Sequence, residues 1–483
     1  MHKVIRCVNR GFLECVVSPK YLLRPKVFKS SSAAQAPKVC VVGSGPAGFY
    51  VSQQLIKAYP KIEVDLYERL PVPFGLVRFG VAPDHPEVKN VINTFTKTAK
   101  SGRLRFVGNV NLGTDVILSE LRESYHAVVL TYGAEQDREF GIPGEELPNV
   151  VSARRFVGWY NGLPADSHLK VNLETESAVI FGNGNVAVDV ARILLTPVDI
   201  LKKTDITEHS LAVLSQSRLK KVIMVGRRGP LNVAFTIKEI REMLKLPECK
   251  TVMDPNAFAG IREVIEGLPR PRRRLMELVC QAALDPPPPS WSDAKRTFEP
   301  LFLRSPLEFL RCSQSDRLSG VRLAVNKLSD DRAVPTGVEE CLECGLALRS
   351  IGYKGIKAGK DIPFDDEKGT VLNNNGQVDG AKGLYCSGWV ATGPTGVILT
   401  TMSNSFEVGH TIVQHMETGL VDISMNKPGY EAVSQILLKK GIQTVSFSDW
   451  EKIDEEEKKR GEAVGKPREK IVSVEEMLAI AAR

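Results

Sequence analysis

Two strand–turn–helix units with glycine-rich turns constrain the fold of this 483-residue chain more than any other feature. The first runs from the apolar segment 38–42 through Gly43, Gly45 and Gly48 into a helical stretch that ends at Ala58. A parallel β-α-β unit that binds a dinucleotide needs this order, because the glycine turn lets the backbone approach a pyrophosphate at the helix N-terminus. We therefore predict an α/β fold with Rossmann-like domains.

An acidic residue after the first unit indicates which nucleotide that unit accepts. A second predicted strand, residues 62–67, leads to Glu68, which lies 20 residues beyond Gly48. A carboxylate at this position can accept hydrogen bonds from an adenosine ribose. Because a 2′-phosphate would be repelled by Glu68, FAD or NAD fits this unit and NADP does not.

The same pattern returns in residues 178–187, and a predicted helix follows over 188–194. The next predicted strand, 222–225, ends at Arg227 and Arg228 instead of at an acid. Two guanidinium groups can bind a 2′-phosphate in a forked arrangement, which selects NADP over NAD. The sequence therefore predicts two bound dinucleotides of different kinds.

A third glycine-rich segment lies near the C-terminus. Residues 383–389 read as a strand that enters the turn 393–396, and a helix is predicted to continue through His410. The helix N-terminus at this turn could face flavin carbonyls or phosphates. Segments 128–134 and 346–353 read as connecting strands, so we predict that the first domain is interrupted by the second.

Charge and composition exclude several classes of protein. Residues 1–37 hold seven lysines and arginines against Glu14 alone, so nearly all of the net charge of +7 lies there. The near-neutral remainder argues against a nucleic-acid-binding protein. No apolar stretch reaches the roughly 18 residues that a transmembrane helix needs. The nine cysteines suggest neither a disulfide framework nor a zinc site, and we predict no metal site.

The basic N-terminal segment has its own interpretation. Residues 1–37 are nearly free of acids, contain the serines 30–32 and lack a long apolar core. This composition is typical of a mitochondrial transit segment, and a disordered basic tail is the alternative. We exclude the segment from the fold prediction.

Three longer motifs closely resemble the adrenodoxin-reductase family, the mitochondrial NADPH:ferredoxin oxidoreductases. They are Pro-Phe-Gly-Leu-Val-Arg-Phe-Gly-Val-Ala-Pro-Asp-His-Pro at 73–86, Arg-Arg-Gly-Pro at 227–230, and the Gly-Trp-Val and Gly-Pro-Thr-Gly-Val-Ile segments within 388–398. The resemblance extends from about Lys38 to the C-terminus. It implies a glutathione-reductase-like flavoprotein.

That fold implies a division of the chain. The predicted parts are a first FAD-binding part at 38–136, an NADPH-binding domain at 137–353 and a second FAD-binding part at 354–483, after the transit segment 1–37.

The resemblance also implies the residues of the sites. Together with the first glycine turn, the predicted FAD contacts are Gly43, Gly45, Ala47, Glu68, Leu76, Leu112, Trp389, Gly396, Val397 and Ile398. The predicted NADP contacts are Asn183, Gly184, Asn185, Val186, Arg227, Arg228, Glu239 and Gly396. The predicted docking arginines for a ferredoxin are Arg241, Arg270 and Arg274. One departure is Ala391-Thr392, where family members often carry basic residues, which puts in doubt a role of this loop in docking.

The implied activity moves electrons from NADPH through FAD, one at a time, to a 2Fe-2S ferredoxin of the adrenodoxin type. The family implies a monomer in the mitochondrial matrix or at the matrix face of the inner membrane, serving monooxygenases of steroid metabolism or iron–sulfur cluster assembly. No nucleophile or metal is needed, and we assign no catalytic side chain. His85, with Asp189, Glu239 and Glu242, is either a group that tunes protonation near the nicotinamide or a hydrogen-bonded structural histidine.

Two alternatives remain open in the sequence. Cys341 and Cys344 form a CxxC pair, as in thioredoxin-reductase-like NADPH disulfide reductases. The pair precedes the returning strand at 346–353, where nothing places it against a flavin. The other alternative is a nucleotide-binding scaffold that has lost catalysis.

Overall fold

The computed structural model describes residues 36–396 and 398–483, and two largely parallel β-sheets organise them. The first sheet has a central strand with parallel neighbours on both sides, and a short antiparallel meander forms one edge. Its strands, in spatial order, are β18 (Asn373–Asn374), β19 (Gln377–Val378), β20 (Leu384–Cys386), β4 (Ala127–Leu130), β1 (Lys38–Val42), β2 (Glu63–Tyr67) and β3 (Leu104–Val107).

The second sheet is parallel throughout. Its strands, in spatial order, are β6 (Val150–Ser152), β14 (Leu346–Arg349), β7 (Ser177–Phe181), β8 (Lys221–Gly226), β10 (Arg296–Phe302) and β9 (Cys249–Thr251). The smaller sheets are the antiparallel set β11 (Arg304–Arg311), β12 (Leu318–Ser329) and β13 (Arg332–Glu343), and two ribbons that pair β5 (Gln136–Asp137) with β15 (Tyr353–Lys354) and β16 (Phe364–Asp365) with β17 (Thr370–Val371).

The chain passes between the large sheets twice. Strand β4 of the first sheet leads into β5, and β14 of the second sheet leads into β15. Strands β5 and β15 then pair with each other, so the outgoing and returning connections run side by side. The predicted α/β fold with two Rossmann-like units is confirmed.

Helices connect and cover the strands. They are α1 (Pro46–Ala58), α2 (Leu76–Phe79), α3 (Val91–Ala99), α4 (Leu118–Ser124), α5 (Ala153–Asn161), α6 (Asn185–Leu195), α7 (Val198–Leu201), α8 (Glu208–Ser215), α9 (Ile237–Leu244), α10 (Ile261–Val264), α11 (Arg270–Leu284), α12 (Trp389–Thr392), α13 (Ile398–Glu417), α14 (Tyr430–Lys439), α15 (Phe447–Ala463) and α16 (Val474–Ala481). The predicted helix ending at His410 continues to Glu417, because α13 packs along α1. Gly409 allows this approach, since a Cβ there would lie 2.8 Å from Gln54 Cγ.

Backbone contacts that only glycine permits hold the first turn against the sheet. Gly43 has a φ of +108°, and a Cβ on it would lie 2.7 Å from the carbonyl carbon of Thr131. A Cβ on Gly48 would lie far inside van der Waals contact with the Gly43 carbonyl oxygen. Gly45 differs, because a Cβ there would meet no atom within 4 Å. Two glycines thus serve packing, and Gly45 borders open space.

This difference predicts losses of different size for two alanine substitutions. Gly48→Ala should lower the free energy of unfolding by about 1–3 kcal/mol, since the backbone oxygen it meets cannot move aside cheaply. Gly45→Ala should cost less than about 1 kcal/mol, since only its N-cap preference is lost. Urea denaturation of the two variants and the parent, without added nucleotide, measures both values. Equal losses would contradict the packing role of Gly48.

Candidate dinucleotide and electron-transfer site

Glu68 is fixed beside the first glycine turn. Its Oε2 accepts hydrogen bonds from the Ser44 amide at 3.0 Å and the Ser44 hydroxyl at 2.7 Å, and its Oε1 accepts one from the Leu70 amide at 3.2 Å. Glu68 follows directly after β2, at the carboxyl edge of the first sheet. A half-buried carboxylate held in this way keeps one lone pair, on Oε1, for a further donor, and its predicted contact with a ribose hydroxyl stays a prediction.

The segment containing Leu76 lies against this turn. The Phe74 amide donates to the Ser44 carbonyl at 3.0 Å, and a Cβ on Gly75 would lie 3.1 Å from the Gly45 α-carbon. Phe74 has a φ of +84°, which is rare for a bulky residue and persists here because its ring is buried against Phe49 and Trp450. Leu76 begins α2 and is exposed.

The C-terminal glycine-rich segment reaches the same turn. A Cβ on Gly388 would lie 2.6 Å from the Cβ of Ala47, so the start of α12 meets the start of α1. The Trp389 ring lies 6.1 Å from the ring of Tyr353, a residue of the returning connection β15. Ala47, Gly388 and Trp389 therefore meet next to the seam between the two large sheets.

The remaining predicted FAD contacts lie in different environments. Leu112 is buried in an apolar cluster beneath the first sheet. Gly396 has a φ of +84° and Ile398 begins α13, whereas Val397 lies outside the described residues. A cleft of about 570 Å³ opens beside α12, between the turn 391–395 and residues Arg138 and Gly352 of the two connections.

The second glycine turn repeats the design of the first. Gly182 has a φ of +127°, and a Cβ on it would overlap the Ser350 carbonyl oxygen, whereas one on Gly184 would meet nothing within 4 Å. The Asn183 carbonyl accepts hydrogen bonds from the amides of residues 234 and 235, and Asn185 Oδ1 accepts one from the amide of residue 236. Val186 lies in the first turn of α6 and packs against the core. The turn is thereby tied to the loop 229–236.

Arg227 and Arg228 border that loop at the end of β8. Arg227 is exposed and Arg228 half-buried, and neither forms an ion pair within the described part of the chain. A third guanidinium, that of Arg272, donates to the carbonyls of Leu231 and Val233. Burial and the positive charge of Arg228 lower the pKa of Arg272. The sequence reasoning missed Arg272, whose signal was its place within the arginine run 270–274.

A buried ion-pair network lies where the two sheets meet. Arg192 of α6, only 3% exposed, donates to Asp84 at 2.5 and 3.2 Å and to Asp189 at 2.7 Å. Its Nη1 lies 3.5 Å from Glu239 Oε2. The Arg192 interactions hold the pKa of Asp84 below its usual range despite burial. The sequence reasoning missed Arg192, although an arginine within an otherwise apolar helix was a usable signal.

The four titratable residues named from the sequence are brought together here. His85 Nε2 lies 2.6 Å from Glu242 Oε2 and 3.9 Å from Glu239 Oε2, and Asp189 approaches Glu239 from α6. Burial and the charge of Asp189 raise the pKa of Glu239 to about 7. His85, Glu239 and Glu242 offer atoms within 4.8 Å of one another, but Arg192 already supplies a cation against Glu239, and we assign no metal.

The predicted docking arginines occupy neighbouring helices. Arg241 lies on α9, and Arg270 and Arg274 lie on the first turns of α11, which packs against α9. All three are exposed and, among the described residues, none forms an ion pair. The helix dipole disfavours cations at the start of α11, where Arg270 and Arg274 lie, whereas Arg241 lies in the last turn of α9, where a cation is favoured. An anionic partner would relieve that repulsion.

The cysteine pair lies elsewhere. Cys341 is an exposed residue of β13, and Cys344 is buried in a cluster on the second sheet with Val179 and Ile223. Burial raises the pKa of the Cys344 thiol to about 12. A thiol that stays protonated is a poor nucleophile, and neither cysteine belongs to a glycine turn.

The chain is similar to several known proteins. Residues 37–225 match the model of the family described as pyridine nucleotide-disulphide oxidoreductase. The human protein named mitochondrial NADPH:adrenodoxin oxidoreductase is 55% identical over 458 residues, covering 93% of each chain. The Arabidopsis thaliana protein of the same name is 43% identical, covering 96% of this chain and 99% of its own.

The chain belongs to the NADPH:adrenodoxin oxidoreductase family. Among solved structures, Mycobacterium tuberculosis FprA in complex with NADPH is 37% identical, with a TM-score of 0.88 over 93% of this chain and all of FprA. The family resemblance predicted from the three motifs is confirmed. The individual FAD, NADP and docking contacts stay predictions. No helix in the described ranges is long and apolar enough to cross a membrane.

The raised pKa of Glu239 predicts that the free energy of unfolding falls as the pH rises toward 7. A carboxyl group whose folded pKa of about 7 exceeds its ordinary value stabilises the fold at low pH, and this contribution is lost as pH rises toward 7. Glu239→Gln keeps a neutral side chain, so its stability relative to the parent should rise by about 1–3 kcal/mol between pH 5 and pH 8.5. Urea denaturation without NADP measures the difference.

Glu145→Gln serves as the control. Although burial opposes it, hydrogen bonds from the Phe140 and Gly141 amides and from Arg349 hold the pKa of Glu145 below its usual value. The free energy of unfolding of Glu145→Gln should therefore differ from that of the parent by a constant amount between pH 5.5 and pH 8.5. A constant difference for Glu239→Gln as well would refute the assignment.

Proposed function

We propose that this chain is a flavoenzyme that takes electrons from NADPH and passes them singly, through FAD, to a 2Fe-2S ferredoxin of the adrenodoxin type. One observation carries the proposal: two glycine turns with opposite electrostatic preferences both lie beside the returning connection, the first through Gly388 and Trp389, which meet Ala47 and Tyr353, and the second through Gly182, which meets Ser350. The first has the fixed carboxylate of Glu68, and the second has the guanidiniums of Arg227 and Arg228, which form no ion pair with any residue that the structure describes. The family membership supports the same activity.

The first turn fits FAD. The open space beside Gly45 suits a pyrophosphate, Glu68 suits the adenosine ribose, and the exposed Leu76 and the Trp389 ring border the path toward the seam. When bound, the flavin accepts a hydride as an electron pair and gives up single electrons. The protein positions this group and excludes water, so no nucleophile is required of the chain.

The second turn fits NADPH. The open space beside Gly184 suits the pyrophosphate at the N-terminus of α6, and Arg227 and Arg228 suit the 2′-phosphate. Arg272 supports this loop by holding two of its carbonyl oxygens. We propose that the nicotinamide end enters the seam near Gly396 and Glu239.

The polar side chains of Asp84, His85, Asp189, Arg192, Glu239 and Glu242 line the seam where the two large sheets meet. Arg192 holds Asp84 and Asp189 in place, so the orientation of Glu239 and His85 is set before the nucleotide enters. With its pKa near 7, Glu239 can hold or release a proton at neutral pH. We propose that it sets the protonation state beside the nicotinamide, with His85 as its orienting neighbour.

Arg241, Arg270 and Arg274 form the proposed docking surface. They lie on α9 and α11, which also border the loop 229–236, so an acidic ferredoxin would dock near the NADPH-binding side. A local cationic surface accelerates encounter with an acidic protein even when the whole chain is near neutral.

The names of the relatives and the N-terminal sequence support a proposal for location. The relatives are named mitochondrial, so we place the protein in mitochondria. We further propose a monomer in the matrix or at the matrix face of the inner membrane, which serves steroid-metabolising monooxygenases or iron–sulfur cluster assembly. The proposed transit segment 1–37 lies almost wholly outside the described residues. The domain boundaries at 136, 137, 353 and 354 are part of the same proposal.

Nucleotide choice tests the NADP site. Replacing Arg227 and Arg228 together by alanine should raise the NADPH concentration needed for half-maximal flavin reduction by about 100-fold or more, because two charge-assisted contacts are lost. The requirement for NADH should hardly change, since NADH lacks the 2′-phosphate. Equal losses with both nucleotides would remove the basis of the assignment.

Ionic strength tests the docking surface. Arg270→Ala with Arg274→Ala should weaken binding of an acidic 2Fe-2S ferredoxin about tenfold or more at low salt, and the difference should shrink as salt increases. Arg332→Ala is the control, because Arg332 is also an exposed, unpaired arginine of the described chain but lies on the hairpin strand β13. Equal effects of the two changes would contradict this location.

A further inference from the structure

Two lysines from distant parts of the chain share one buried carboxylate. Lys89 Nζ lies 2.7 Å from both carboxylate oxygens of Asp205. Lys470 Nζ lies 3.0 Å from Asp205 Oδ2 and donates to the Asp205 backbone carbonyl at 2.9 Å. The exposed fractions of the three side chains are 13% for Lys89, 11% for Asp205 and 1% for Lys470. We call this group the Asp205 latch.

The latch joins elements that belong to different sheets. Lys89 lies between β2 and β3 of the first sheet, whereas Asp205 lies in the connection from α6 to β8 of the second. Lys470 lies between α15 and α16, and α15 packs on the first sheet through Phe447 and Phe106. Two of the three residues therefore come from the first-sheet side and one from the second.

The stretch that carries Lys470 is itself anchored to the first-sheet side. The buried Glu457 of α15 pairs with Arg78 and accepts a hydrogen bond from the Ile471 amide at 3.0 Å. Arg468 lies 3.2 Å from the other oxygen of Glu457 and 2.6 Å from Asp454. Lys470 thus lies between Arg468 and Ile471, which are both bound to Glu457 of α15. The contact of Lys470 with Asp205 therefore links the position of Asp205 to that of α15.

Stability alone does not explain the latch. Removing ammonium groups from water is costly, and well-packed apolar residues in place of buried ion pairs are often neutral or stabilising. Burial lowers the pKa of Lys470 to about 7 although Asp205 attracts its charge, and the two lysines keep the pKa of Asp205 low despite burial. The hydrogen bonds of the latch form only when Lys89, Asp205 and Lys470 lie in a narrow range of relative positions, so the group restricts how the two sides are oriented.

The latch is also close in sequence to the catalytic seam. Lys89 follows Asp84 and His85, which contact Arg192 and Glu242 of the second-sheet side. The segment 84–89 is consequently held against the second-sheet side at both of its ends. A shift at Lys89 would move the segment that forms one wall of the seam.

We propose that Lys89, Asp205 and Lys470 are positioning residues that set the orientation of the NADPH-binding side relative to the FAD-binding side. In this role they need no contact with either nucleotide. They act by fixing how closely the nicotinamide approaches the flavin. This inference rests on the proposed function, and the parent enzyme serves as the test of that function.

The experiment compares flavin-loaded full-length Lys470→Met and Asp205→Asn with the parent. Each protein is reduced with dithionite, NADP⁺ is added, and the long-wavelength charge-transfer absorbance that reports contact between the nicotinamide and flavin rings is recorded. The rate of flavin bleaching at saturating NADPH and the flavin content are measured alongside. Glu340→Gln is the control, since it breaks a half-buried pair with Arg304 inside the antiparallel sheet β11–β13.

Lys470→Met should retain flavin and lose most of the charge-transfer absorbance. Its bleaching rate at saturating NADPH should fall about 10- to 100-fold, the expected effect of a misplacement near 1 Å, with the NADPH concentration dependence little changed. Glu340→Gln should match the parent. A flavin-loaded Lys470→Met with parental absorbance and rate overturns the proposal, whatever its thermal stability, and this variant decides the outcome if Asp205→Asn does not fold. A parent that NADPH does not bleach would instead refute the proposed function.

Discussion

Close approach of backbone to backbone at the two glycine turns is the constraint on which the other features depend. Gly48 lies against the Gly43 carbonyl and Gly182 against the Ser350 carbonyl, at distances that no side chain allows. These contacts bring the N-termini of α1 and α6 to the edges of their sheets. Gly45 and Gly184, which border open space, can then receive a ligand. The packing glycines and the ligand-facing glycines are therefore different residues within each turn.

Charge distinguishes two sites that the backbone makes alike. The carboxylate of Glu68, held by Ser44, follows the first turn, whereas two guanidiniums without an ion-pair partner in the described part of the chain follow the second. The same arginine-rich helix, α11, supports the second loop through Arg272 and exposes Arg270 and Arg274. One helix thus contributes both to the proposed 2′-phosphate site and to the proposed docking surface. The dipole of α11 disfavours the positive charge at its N-terminus, and the proposed anionic ligands would offset that repulsion.

The sequence predicts the parts of this molecule that depend on local order. Strand, glycine turn, helix and the residue after the next strand lie within short windows, so both Rossmann-like units and the placement of Glu68 and Arg228 could be read directly. Contacts between distant segments could not. Asp205 and Lys470 are 265 residues apart, and Arg192 meets Asp84 only because two sheets come together. No periodicity encodes such pairs.

The sequence analysis also did not predict the antiparallel sheet β11–β13, which lies just before the returning connection in the chain. The CxxC motif was interpreted from its neighbours alone, and the structure adds the reason that it is not a poised dithiol: Cys344 is buried and its pKa is raised. Helix α13 exceeds its predicted end because Gly409 lets it continue along α1, a contact with residues more than 300 positions away. Each of these features depends on tertiary packing.

Anaerobic rapid mixing tests the central claim, that an electron pair enters from NADPH and leaves as single electrons. The purified yellow protein is mixed with one equivalent of NADPH, and an oxidised 2Fe-2S ferredoxin is added afterwards. The account predicts that NADPH bleaches the flavin absorbance and that each NADPH oxidised yields two reduced ferredoxins, one after the other. Flavin that NADPH leaves oxidised, or reduced flavin that transfers electrons to a disulfide but not to ferredoxin, would contradict it.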